Sequence, residues 1–130
     1  MEAIMAQKTF VYCTFQKEGY HYFPGADTNP TYATGDEYDV GHLGLRHMHY
    51  FNFKVWVQVL HNNREIEFIQ LRRWIENLYK TNSLEMDHQS CEMLAEALYA
   101  KLSERYPGME IRIDISEEGI NGALVEFTPE

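Results

Sequence analysis

The clearest pattern in the chain is the alternation of apolar and polar positions in Phe51-Asn52-Phe53-Lys54-Val55-Trp56-Val57-Gln58-Val59. A period of two marks a half-buried strand, so Phe51–Leu60 is predicted to be one. Thr9–Phe15, built from residues that suit a pleated surface, predicts an earlier strand. Between them, the stretch from Gly19 to Leu45 carries Gly25, Asp27, Asn29, Pro30, Gly35, Asp36, Gly41 and Gly44 and reads as a long loop. A loop of that length is usually functional or mobile. His61–Arg64 is a polar turn. From Glu67 to Tyr79 the period changes: Phe68, Leu71, Ile75 and Leu78 recur at helical spacing, with Trp74 beside them. Thr81-Asn82-Ser83 breaks this helix. Ser90–Tyr106 forms a second one, with Met93, Leu94, Ala97, Leu98 and Leu102 on one face. Asp87 or Ser90 can cap it, and Pro107-Gly108 stops it. Met109–Ser116 alternates again through Ile111, Ile113 and Ile115, Glu117–Gly122 turns, and Ala123–Phe127 is the last strand.

The order strand, strand, helix, helix, strand, strand predicts an α+β fold, a four-stranded antiparallel sheet with two helices on one face. A chain of 130 residues is read as one domain over 1–130, large enough to bury a core without disulfides. Its two cysteines, Cys13 and Cys91, form no framework and read as buried thiols in a reducing compartment. No apolar run is long enough to span a membrane, and Met1–Lys8 lacks the charged start and apolar core of a signal peptide. The expected location is cytoplasmic.

Charge narrows the partners. Twenty acidic residues against eleven basic ones give a net charge of −9. This argues against nucleic acid or an anionic membrane as partner, since both need clustered positive charge. An anionic small molecule in a locally basic pocket stays open. Arg46, Arg64, Arg72 and Arg73 are candidates for phosphate, although Arg72-Arg73 reads rather as the solvated side of a helix.

Candidate chemistry centres on His47-Met48-His49, just before the alternating strand. If the strand register extends back to them, both imidazoles project to one side. With His21 upstream they supply three histidines, and three histidines with one open position are the usual ligand set of a catalytic zinc. The plainer reading makes them ordinary polar residues at a strand start. Asp87-His88 is either an acid–base pair or a helix cap beside an exposed histidine. Tyr20, Tyr22, Phe23, Tyr50, Phe51 and Phe53 can stack on a flat heterocycle, or fill the core and a subunit interface.

Five marks in order carry a resemblance. Phe15 leads to Gly19-Tyr20-His21; His47-Met48-His49 opens the second strand; Glu67-Phe68-Ile69-Gln70-Leu71-Arg72 opens the first helix; Ser90-Cys91-Glu92 opens the second; and Ile111-Arg112-Ile113-Asp114-Ile115-Ser116-Glu117 is an alternating strand running into a glutamate. In this the chain resembles the 6-pyruvoyl-tetrahydropterin synthase and 6-carboxytetrahydropterin synthase family of the tunnelling fold, from Phe15 to Phe127. The resemblance implies a Zn²⁺-dependent lyase acting on a dihydroneopterin-triphosphate-like substrate, with His21, His47 and His49 as metal ligands. It implies that Glu117 accepts two parallel N–H bonds from the substrate's amino-pyrimidinone edge. Glu118 takes that role if the register is off by one, and the plain alternative is a solvated turn carboxylate. It also implies a homo-oligomeric barrel, trimers stacked as hexamers, that closes the open sheet edges and places sites at subunit borders.

The chain also departs from the family. Met48 stands where the family's His-x-His has glycine. Asp39–Arg46 holds no cysteine where the synthases carry theirs. The base is then His88, with Asp87 behind it, or His42. A second reading keeps the pocket without the chemistry: a binder of a purine, pterin or nucleotide-derived signal. A third is a structural oligomeric domain with no ligand.

Overall fold

The computed structural model describes residues 6–80 and 83–130. Most of the Met1–Lys8 segment and Thr81-Asn82 of the helix break lie outside the described residues. Strand β1 (Thr9–His21) pairs antiparallel with β2 (His47–Val59) along their whole length, from Thr9 opposite Val59 to His21 opposite His47. Helix α1 (Phe68–Leu78) follows, then a short strand β3 (Ser83–Glu85), helix α2 (Cys91–Arg105), and strands β4 (Ile111–Glu117) and β5 (Asn121–Phe127). The spatial order is β3-β1-β2-β4-β5.

The α+β class stands, but the sheet has five strands, not four, and is mixed. β3 runs parallel to β1 at Glu18–Tyr20; the other pairings are antiparallel. Three residues are too few for an alternating pattern to register, so β3 has no sequence signature. The first two strands are also longer than their apolar runs. β1 continues through Gly19-Tyr20-His21, and β2 starts at His47 rather than Phe51. Backbone pairing between them holds these polar residues extended where side-chain pattern alone reads loop.

The period of two fixes which side chains face the helices. Phe51, Phe53, Val55, Val57, Ile111, Ile113 and Ile115 are buried, while the intervening Lys54, Trp56, Arg112 and Asp114 are only partly covered. Leu71 and Ile75 of α1, with Leu94, Ala95, Leu98 and Leu102 of α2, pack onto that apolar face. Glu67 caps α1 by accepting the Gln70 N–H at 2.7 Å, and Ser90 caps α2 by accepting the Met93 N–H at 3.2 Å. Among the described residues no helix is long and apolar enough to cross a membrane.

Candidate metal centre

His21, His47, His49 and Glu117 all occupy odd positions, in register with the apolar residues of the helix-bearing face. His21 is opposite His47, and Glu117 is opposite Phe51. The four side chains therefore gather at one end of that face, beyond the packed centre. Gly19 makes room for them. A Cβ there would come within 2.9 Å of Met86 Cε and 3.0 Å of the Phe51 ring, so a side chain at 19 would displace the ring that supports the histidines. Phe51 meets His21 and His49 edge-on, with ring centroids 5.1 and 5.7 Å apart.

The three imidazoles stand nearly perpendicular to one another. Their centroids are 4.6 Å (His21–His47), 4.9 Å (His47–His49) and 5.3 Å (His21–His49) apart. One ligand atom from each lies within 4.8 Å of the others. Each ring also has an acceptor at Nδ1: the Gln89 carbonyl at 3.0 Å for His21, the Leu45 carbonyl at 2.7 Å for His47, and the Glu118 carboxylate at 2.9 Å for His49. With the proton held on Nδ1, the Nε2 lone pair is free. This outer arrangement is the usual one behind metal-ligating histidines.

The fit to a cation rests on what those Nε2 atoms lack. Nε2 of both His21 and His49 is buried without a hydrogen-bond partner among the described residues. Glu117 Oε2 lies 2.9 Å from His49 Nε2, and Oε1 lies 3.6 Å from His21 Nε2. These approaches are close, but they do not have hydrogen-bond geometry, and an unprotonated Nε2 facing a carboxylate has nothing to donate. A cation among them satisfies both nitrogens, with the Glu117 carboxylate beside it as countercharge. Burial holds His47 below the ordinary histidine value; its Leu45 contact opposes this, while neighbouring His21 and His49 add to it. It is therefore neutral, as ligation requires. These residues, with Glu117 and Glu118 alongside, can hold a metal ion.

A cleft of about 210 Å³ opens beside this cluster, lined by His21, Tyr22, His88, Cys91, Glu117 and Asn121 among others. Of the Asp87-His88 pair only His88 lines it. Asp87 is exposed, in left-handed backbone with φ 52°, and its carbonyl accepts the Tyr22 N–H. His42 borders a different hollow with Glu37, Tyr38, Gly41 and Leu45, and its Nδ1 contacts the Glu37 carbonyl at 2.9 Å. Arg46 is already engaged. It grips Glu85 through two nitrogens at 2.6 to 3.1 Å and stacks on the Tyr20 ring at 3.9 Å.

Cys91, read from the sequence as a buried thiol, lines the same cleft as His21. Burial, then Glu117, Glu92 and Asp114, push its thiol up to about 12. Sequence reasoning missed the two backbone carbonyls that set the tautomers of His21 and His47, which have no sequence signal. The Glu-Gly turn directly after the strand marks Glu118 itself, but its link to His49 has no sequence signal either. No protein-family model matches the chain, and no curated protein matches it significantly.

Proposed function

We propose that the protein is a zinc-dependent, pterin synthase-like lyase acting on a dihydroneopterin-triphosphate-like substrate. The observation that supports this most is the convergence of His21, His47 and His49, two of whose Nε2 atoms are buried without a hydrogen-bond partner among the described residues, beside an open cleft that His21 lines. In this reading the three histidines hold Zn²⁺. The bound ion supplies Lewis acidity to side-chain oxygens of the substrate, which acidifies the adjacent C–H. Glu117, on the cleft wall, accepts the amino-pyrimidinone edge and fixes the ring's orientation. His88 is the base within reach of the cleft, whereas His42 borders another hollow. The cleft is smaller than the ~300–1,000 Å³ typical of ligand sites, so a triphosphate extends beyond it. A second copy of the chain completes the site in this proposal. β5 leaves one sheet edge open with Leu124 exposed, and β3 covers β1 only at Glu18–Tyr20. Joining such edges builds the homo-oligomeric barrel, a trimer or hexamer.

Two observations favour a second reading, a binder of a purine, pterin or nucleotide-derived signal. The thiol in the cleft is held protonated, and Asp87 does not line the cleft beside His88, so an activated base is not assembled around His88 within one chain. Incubation of the zinc-loaded protein with dihydroneopterin triphosphate separates the two. Conversion with loss of triphosphate is expected of the lyase, and ligand returned intact from a stable complex supports the binder. A protein that neither turns the compound over nor binds it overturns both readings.

A further inference from the structure

Glu118 occupies a place that does not suit a glutamate. β4 ends at Glu117 and β5 begins at Asn121. The Ile120 N–H donates to the Glu117 carbonyl at 3.0 Å, closing a tight turn. Its two central residues, Glu118 at φ 56° and Gly119 at φ 74°, both have left-handed backbone. A hairpin turn of this kind favours Asn, Asp or Gly at its first central position. Glutamate lacks the short side chain that eases this conformation by bonding locally, so its presence is strained.

The strain is matched by a contact elsewhere. The Glu118 side chain reaches back across the sheet to β2, with oxygens 2.9 and 3.0 Å from His49 Nδ1. Oε1 also accepts the Tyr50 N–H at 3.1 Å, while the Glu118 N–H donates to the Tyr50 carbonyl at 2.8 Å. Side chain and backbone are thus both fastened to the segment that carries His49. His21 and His47 have neutral carbonyls behind them; His49 has a full negative charge.

We infer that Glu118 is the positioning residue for His49 in the metal centre, an inference that rests on the metal-binding reading above. It holds the Nδ1 proton, fixes the tautomer and turns Nε2 inward. A carboxylate behind a ligating imidazole strengthens it as a donor, and losing such a partner costs about 10–100-fold in metal affinity.

The test uses wild type, Glu118→Asn, Glu118→Gln, and His49→Ala with and without Glu118→Asn. Zinc affinity is read by chelator competition, the cobalt(II) complex by its absorption bands, and the metal-free fold by thermal melting. Asparagine suits the turn, so Glu118→Asn is expected to melt at or above the wild-type temperature. It should nevertheless bind zinc about 10–100-fold more weakly, with displaced cobalt bands. Glutamine keeps the length and can accept the same proton without the charge, so its affinity falls between. In the His49→Ala background Glu118→Asn changes affinity no further. Wild-type affinity and unmoved bands in both Asn and Gln variants would reduce Glu118 to a turn residue. So would a melting temperature that falls together with affinity in both. A wild-type protein that binds neither metal overturns the metal-centre reading and this inference together, and that failure is distinct because it appears before any substitution.

Discussion

Phe53, Val55, Val57, Ile113 and Ile115 lie under the two helices, none more than 1 % exposed, while His21, His47, His49 and Glu117 lie farther along the same face of the sheet, where His21 and Glu117 line a cleft. The strand geometry is shared, and the side-chain parity is identical. What differs is the cover. Under α1 and α2, the inward positions of β2 and β4 lose water almost completely and are apolar. Past Phe51 the inward positions lie beside a cleft and beyond the helices, so polar side chains can be held there with hydrogen-bond partners. A single run of alternating residues thus serves as core at its centre and as a candidate metal centre at its end. Phe51 belongs to both regions.

The sharpest way to break this comparison is to empty the metal end. The His47→Ala, His49→Ala double variant is expected to lose metal altogether, from about one zinc per chain in wild type, by elemental analysis of the purified proteins. Its fold should remain, because the core does not include these residues. Phe51→Ala comes next. It should cost about 3–5 kcal/mol in denaturant unfolding and also weaken zinc binding, because its ring supports His21 and His49. Ile113→Ala is the control within the core. We expect about 2–5 kcal/mol of destabilisation with zinc stoichiometry unchanged. If Phe51→Ala and Ile113→Ala behave alike toward zinc, the division between the two regions is wrong.

The thiols sharpen the comparison from the core side. Burial pushes Cys13 up to about 11 and Cys91 to about 12 from an ordinary value of 9.0. Both therefore stay protonated in the folded chain where the unfolded chain already loses protons. Stability from this source is full below pH 9.0 and is lost as pH rises toward those values. Unfolding midpoints measured from pH 8 to 10 should fall as pH rises above about 9, and the fall should disappear in a Cys13→Ala, Cys91→Ala variant. Native protein should also resist alkylation at neutral pH and react promptly once unfolded. The smallest effect is expected at Ser90→Ala. Loss of the α2 cap costs about 1 kcal/mol, with a modest drop in zinc affinity, because the neighbouring Gln89 carbonyl orients His21.

Legible in the sequence were the face that becomes the core, both helices, Ser90 as one of two candidate caps of the second, and the three histidines as a group. Each is a local property: period two, period 3.6, a serine before an apolar run, a His-x-His at a strand mouth. Glu117 was singled out through the family resemblance alone; its pattern read as a turn, and β4 in fact runs one residue further and puts it on the histidines' side. The third strand was not legible, since three residues carry no periodicity and its pairing depends on where the chain returns from α1. Nor were the separate surroundings of His42 and His88, because both follow from loop paths that no pattern encodes. The tautomers of His21 and His47 depend on carbonyls of Gln89 and Leu45, which every residue type possesses. Only tertiary structure chose among them. The same holds for Glu118, whose turn the sequence marks but whose carboxylate finds His49 across sixty-nine positions of chain, a contact that exists only once β2 and β4 are paired.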